Sequence, residues 1–282
     1  MRLSVILANY NGARFLAETL ASVAAQTRVP DELVVVDDAS TDDSVGVIER
    51  AFTGATFPTR LIRHDRNRGQ AAGFNTGAAA VTGELVCLLD SDDLWLPRKL
   101  EAVEAAAAAA PGFALIQHQL RVVRNAEWTD EYALPALTGG DVWKLWMNAD
   151  VFPWFVPTSG LAVRGEVLRK IIPVPERLRV CADSFVTRSS ICHGPVIALH
   201  ECLGGYRQHG ENNVAGNPRY DAREFFYREV RPLLHHYYGT LGFPSPVARL
   251  QRPRRTGLLD RLLDLSPRKI LRRVPGFERW TD

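Results

Sequence analysis

The chain has 282 residues, 46% of them hydrophobic, enough to bury a sizeable core in one large or two small domains. No apolar run approaches the roughly 20 residues that span a bilayer, and the first residues lack the basic-then-apolar pattern of a secretory leader. The net charge is only +2, and no basic stripe or nucleic-acid motif accompanies it, so nucleic acid is not an expected partner. Cys87, Cys181, Cys192 and Cys202 form no CxxC pair, so all four are expected to be reduced, small core residues of a cytoplasmic protein.

Leu3–Ala8 reads as a first strand that breaks at the turn-rich Asn9-Tyr10-Asn11-Gly12. A helix follows over Phe15–Ala25, with Leu16, Leu20 and Val23 at helical spacing. Leu33–Val36 is a second buried strand ending on Asp37 and Asp38, and Ser40-Thr41-Asp42-Asp43 offers N-cap chemistry to a helix through about Phe52. Thr59–Arg63 is a short strand, Asn67-Arg68-Gly69 a turn, and Gln70–Val81 an Ala-rich helix. Strand–helix alternation with short loops predicts an α/β fold with a parallel sheet and right-handed crossovers. Neither GxGxxG after the first strand nor GxxxxGK[ST] occurs, which disfavours a dinucleotide fold and a P-loop.

The stretch Gly83–Trp95 organises the rest. Leu85–Leu89 is a continuous apolar run, the mark of a strand covered on both faces, and Asp90, Asp92 and Asp93 follow at once. Ligands bind at the carboxyl ends of strands in such sheets, and three clustered carboxylates repel one another unless a cation or donor sits among them. The turn is therefore expected to hold a divalent metal and a phosphorylated ligand. One acid could instead cap the helix that begins near Pro97; three exceed what a cap needs.

These segments resemble the successive motifs of glycosyltransferase family 2: Val-Ile-Leu-Ala-Asn-Tyr-Asn (5–11), Val-Val-Asp-Asp-Ala-Ser-Thr-Asp (35–42), Asn-Arg-Gly (67–69) and Asp-Ser-Asp-Asp (90–93). The resemblance implies a GT-A fold, a Rossmann-like and mostly parallel sheet flanked by helices, and an inverting transferase using nucleotide sugars. It implies that Ala8, Asn9 and Tyr10 line the base and ribose pocket, that Asp38 accepts a hydrogen bond from a uridine or thymidine base, and that Arg68 lies near the base or diphosphate. Asp90, with Ser91 beside it, would face the ribose and sugar, and Asp92 would ligate Mn²⁺ or Mg²⁺ at the diphosphate.

Beyond Gly83–Trp95, the chain reads as a helix over Pro97–Ala110, a long strand over Phe113–Val123, irregular chain over 124–140 and a short helix over Asp141–Asn148. The polar Gln117, His118 and Gln119 predict one wet face on the long strand. Val151–Pro157 is aromatic and bounded by proline; Trp154 could stack on a sugar ring or simply join the core. Thr158-Ser159-Gly160, a strand and a helix over Arg164–Ile172 continue the resemblance on the acceptor side. Asp183, in Cys181-Ala182-Asp183-Ser184-Phe185, matches the family's catalytic base, although an acid usually stands where this chain has Ala182; as a residue it also suits the N-terminus of the helix Ser184–Cys192. Pro195–His200 reads as a strand, and Tyr206–Asn213 resembles the family's closing motif, in which His209 approaches the metal and Arg207 helps hold phosphate. Its glycine and asparagines predict a loop that closes over the donor.

Tyr220–Tyr238 reads as a long helix that Pro232 kinks or splits. Residues 245–282 carry ten basic and four acidic residues, leaving the body at −4. Leucine stripes among these arginines fit an interfacial amphipathic helix pair touching the inner face of the membrane, or a face packed on the body or on a second copy. The expected division is a GT-A domain over 1–215, with a nucleotide half (1–100) and an acceptor half (101–215), and a helical extension over 216–282. The expected activity is metal-dependent transfer from a nucleoside diphosphate sugar to a hydroxyl of a glycan or lipid-linked acceptor. A sugar-phosphate nucleotidyltransferase and an inactive nucleotide-sugar-binding protein are the rivals.

Overall fold

In the computed structural model, residues 1–149, 152–210 and 221–248 are described. The first half alternates as read: β1 (Leu3–Asn9), α1 (Ala13–Ala24), β2 (Glu32–Asp37), α2 (Ser44–Thr53), β3 (Thr59–Arg63), α3 (Gln70–Ala80), β4 (Leu85–Asp90), the two-residue β5 (Leu94–Trp95) and α4 (Lys99–Ala109). The second half holds β6 (Leu115–Arg124), β7 (Glu127–Tyr132), α5 (Val142–Ala149), β8 (Leu161–Arg164), α6 (Gly165–Ile171), α7 (Ala182–Ser190), β9 (Val196–Gln208), α8 (Ala222–Phe225) and α9 (Arg231–Thr240).

One sheet runs β3-β2-β1-β4-β8-β6-β9-β5, with β7 beside β6. Its nucleotide half, β3-β2-β1-β4, is wholly parallel. The other half is mixed: β8 is antiparallel to β4 and β6, whereas β9 is parallel to β6 and antiparallel to β5. The register places Ala8 level with both Val36 and Asp90, so three strands deliver their carboxyl ends to one edge. Two apolar layers sandwich the sheet: Leu16, Leu20, Val23 and Ile48 on one face, Phe74, Trp146, Phe185 and Leu234 on the other. Helix α3 lies close on β1 because Gly77 has no side chain; a Cβ there would stand 2.5 Å from Ile6 Cγ2.

Five expectations need correction. Residues 124–140 are not all irregular, since β7 hairpins back on β6. Gln117, His118 and Gln119 are buried rather than wet, and the chain itself satisfies the Gln117 amide, which donates to the Thr138 carbonyl and accepts from Val156 N–H. The strand read as Pro195–His200 extends to Gln208, so Tyr206 and Arg207 belong to the sheet and not to a loop. The helix before Tyr238 is split by a π-helical turn over Phe226–Val230, after which Pro232 sits in the first turn of α9, where its missing N–H costs nothing. Of the four cysteines the structure buries Cys87 alone and leaves Cys181, Cys192 and Cys202 half-buried. The Gly- and Asn-rich residues 211–220 and most of the tail, 249–282, lie outside the described residues.

Candidate active site

The site forms where β1 and β4 end. Asp90, the last residue of β4, is half-buried. Its Oδ1 accepts from Gln70 Nε2 at 3.3 Å, and its N–H donates to Ser159 Oγ at 3.1 Å. Burial, then the charges of Asp92 and Asp183, push its pKa up to about 8; hydrogen bonds from Thr158 and Gln70 oppose this. Asp92 Oδ2 lies 3.0 Å from His209 Nε2. The His209 ring stacks on Phe15 of α1, centroids 4.5 Å apart. Among the described residues no three His, Cys, Asp or Glu side chains form a ready cage. An acid beside an imidazole nevertheless fits a divalent ion that takes its remaining ligands from the phosphates of a bound nucleotide.

Asp93 is different. It is fully buried, accepting from Ser159 Oγ at 2.6 Å and from the backbone N–H of Arg207 at 2.8 Å. Burial, followed by repulsion from Asp92 and Asp90, holds its carboxyl well above the ordinary range. It clasps β9 and the Thr158–Gly160 turn to the acidic turn. Of the three clustered acids, only Asp90 and Asp92 therefore keep some exposure.

Asp183 sits in the first turn of α7, after Cys181 in a left-handed conformation (φ 52°). Its Oδ1 accepts from Ser184 N–H at 2.9 Å. Burial raises its pKa, against the Ser184 N–H and the Arg188 charge. Gln70 joins the two acids: its Nε2 reaches Asp90, while its Oε1 accepts from Ala182 N–H at 2.9 Å. The Tyr206 phenol lies in the field of Asp93, Asp90, Asp92 and Asp183, and burial together with these charges keeps it protonated. Gln70, Tyr206 and Thr158 carry this geometry and were given no role from the sequence. Gln70 is legible in retrospect as the first helical residue after the Asn-Arg-Gly turn.

The residues read as nucleotide contacts divide into surface and scaffold. Tyr10 is 50% exposed at the end of β1. Ala8 is partly buried beside Asp90. Asn9 is buried and donates to Asp37 and Ser40. Ser91 packs beside Gly12, where a Cβ would stand 2.8 Å from its Oγ. Asp38 accepts from the backbone of Arg68 and Gly69, and pairs with His64 Nδ1 at 2.6 Å. Both its oxygens thus hold the 67–69 turn. The Arg68 side chain pairs with Glu176 at 2.5 Å on the protein surface. Arg207 lies over Phe15 at 4.7 Å and pairs with Glu18 at 2.7 Å.

Residues 4–153, just over half of the chain, match the family model described as glycosyl transferase family 2. An uncharacterized glycosyltransferase of Nostoc sp. is 38% identical over 216 residues, which cover 76% of this chain and 66% of that protein. The succinoglycan biosynthesis protein ExoO of Rhizobium meliloti is 30% identical over 72% of this chain and 59% of its own length. The chain thus spans two thirds or less of these relatives. Among solved structures, Staphylococcus aureus TarS in complex with UDP-GlcNAc superposes with a TM-score of 0.67 at 21% identity, over 89% of this chain and 68% of that one. A mannosyltransferase of Pyrobaculum calidifontis in complex with GDP-Man and Mn²⁺ gives 0.56 at 22% identity, over 87% and 66%. These likenesses establish the GT-A fold, and the chain belongs to glycosyl transferase family 2.

Proposed function

We propose that the protein transfers a sugar from a nucleoside diphosphate sugar to a hydroxyl acceptor in one step, with inversion at the anomeric carbon. The observation that carries this is two carboxylates, Asp90 and Asp183, close enough for the charge of one to raise the pKa of the other, with Gln70 bridging Asp90 to the Ala182 backbone beside Asp183 and with Asp92 paired to His209. Single displacement needs a base on the acceptor side and charge stabilisation on the leaving-group side. Asp183 is the base. It takes the proton of the attacking hydroxyl, and its raised pKa brings it closer to the working pH. Asp92 and His209 would hold Mn²⁺ or Mg²⁺, a Lewis acid that would stabilise negative charge on a departing diphosphate. Asp90 orients the donor ribose and sugar, and Tyr206 stands by as a hydrogen-bond donor. Arg207 exchanges Glu18 for phosphate.

The complexes of the structural neighbours with UDP-GlcNAc and with GDP-Man and Mn²⁺ agree with such a donor. A role in building a surface polysaccharide or glycoconjugate follows from relatives such as ExoO. Among the described residues no helix is long and apolar enough to cross a membrane. Calorimetry with UDP, dTDP and GDP, each with Mn²⁺ and with EDTA, is the test. Tight metal-dependent binding of one diphosphate, lost in Asp92→Ala and kept in Asp183→Asn, is expected, and Asp183→Asn should lose about 10²–10⁴-fold in transfer rate. Pyrophosphate release, or transfer by Asp183→Asn at the full rate, would overturn the reading.

A further inference from the structure

We propose that Trp154 is the platform on which a sugar ring of the acceptor stacks, so that the acceptor is a saccharide and not a bare lipid or protein hydroxyl. The inference rests on the transferase reading and extends it to the other substrate. Trp154 is 53% exposed, the most exposed large hydrophobic side chain among the described residues. Single exposed apolar side chains are common; Trp154 differs in being braced by an aromatic cluster and tethered to the helix that carries Asp183.

The ring is fixed from below. Phe152 meets it edge-on at 5.1 Å, and Phe152 is itself wedged between Trp146 and Phe226. An exposed side chain with a braced orientation loses little entropy when a ligand covers it. Pyranose rings present apolar C–H faces to which such an indole is complementary.

Its position is tied to the base. Arg188 of α7 is buried, and its Nη2 donates to the carbonyl of Pro153, the residue before Trp154, at 3.0 Å. The same side chain folds back along the helix, its Nη1 donating to the Ser184 carbonyl at 3.2 Å, beside the turn that carries Asp183. Arg188 stands five residues beyond Asp183, about 7.5 Å along the helix axis. On the other side, Thr158 follows Trp154 by four residues and its hydroxyl faces Gln70 Nε2 at 3.5 Å. The aromatic segment is thus tied at Pro153 to α7 and at Thr158 to Gln70, and four residues of chain keep Trp154 within about 14 Å of Thr158. An acceptor hydroxyl delivered to Asp183 brings its ring, or the next one along, over the indole.

The experiment uses the full chain with UDP and Mn²⁺ and, as probes, p-nitrophenyl glycosides of gluco, galacto and 2-acetamido configuration. Saturation-transfer NMR should show contact at ring C–H protons of at least one glycoside. Trp154→Ala should weaken that glycoside about tenfold, while Trp154→Phe keeps most of the affinity. Being exposed, the position tolerates both changes, which an unaltered melting temperature checks. UDP affinity, measured on the same samples, should be the same in all three proteins. If no glycoside contacts the wild type, or Trp154→Ala binds as the wild type does, the platform is refuted. It is equally refuted if Trp154→Ala loses only binding to phosphatidylethanolamine–phosphatidylglycerol vesicles. If none of UDP, dTDP and GDP binds the wild type, the transferase reading falls; if one of them binds and Trp154 has no effect, only the platform falls.

Discussion

Replacing Asp90 by asparagine should make the metal-free protein more stable at neutral pH. Asp90 has its pKa raised from 3.8 to about 8. Below about pH 4 both folded and unfolded chains carry the proton, and the site costs nothing. Between the two values the folded chain holds a proton that the unfolded chain has lost, so stability falls as pH rises, by about 1.4 kcal/mol per unit. At pH 7 the accumulated cost is about 4 kcal/mol. Asparagine keeps the acceptor for Gln70 Nε2 and carries no proton to hold. Urea unfolding in EDTA at pH 4.5, 6, 7 and 8.5 would measure the difference, which should be small at the acid end, grow to several kcal/mol by pH 7 and level off above pH 8. Saturating Mn²⁺ and UDP should narrow it, since a cation stabilises the ionised wild type. A variant no more stable than the wild type at pH 7, or a gain that does not vary with pH, would refute the account of these acids as a repelling, desolvated group.

Other perturbations test the neighbouring links. Arg188→Gln removes the cation that opposes the upward shift of Asp183, so the acid limb of the kcat–pH profile should move to higher pH; an unmoved limb would show that Arg188 does not act on the base. Gln70→Ala cuts the bridge between Asp90 and Ala182, and should lower kcat more than it raises the KM for donor, with a stability loss of about 1 kcal/mol by urea unfolding. Gly12→Ala pushes a methyl group against Asn9 and to within 2.8 Å of Ser91 Oγ, and should cost about 1–3 kcal/mol, read as a lowered urea midpoint.

The nucleotide half was readable because its physics is local. Uninterrupted apolar runs at 33–36 and 85–89 suit strands covered on both faces, and acids directly after them mark the carboxyl edge of the sheet. The acceptor half defeated local reading where long-range partners override composition. Gln117 is buried because Thr138 and Val156 satisfy its amide, and neither is near it in sequence. Asp93 looked like its neighbours Asp90 and Asp92, and only a partner 114 residues away makes it a clasp. Arg68 was legible as a turn residue, but Glu176, which takes its side chain, is 108 positions on.

The Asp93 clasp also bears on how the protein is made. The acidic turn is complete in sequence by residue 93, but its buried carboxyl gains the Arg207 N–H only after another 114 residues. At ribosomal rates of about 5–20 residues per second, that is a wait of roughly 6–23 s. During it the nascent turn stays open to water, with Asp93 free to ionise. The first hundred residues are therefore no self-sufficient nucleotide trap: a fragment ending before β9 would show the strands but not the pocket. The acidic turn takes its buried shape only when β9 docks against it.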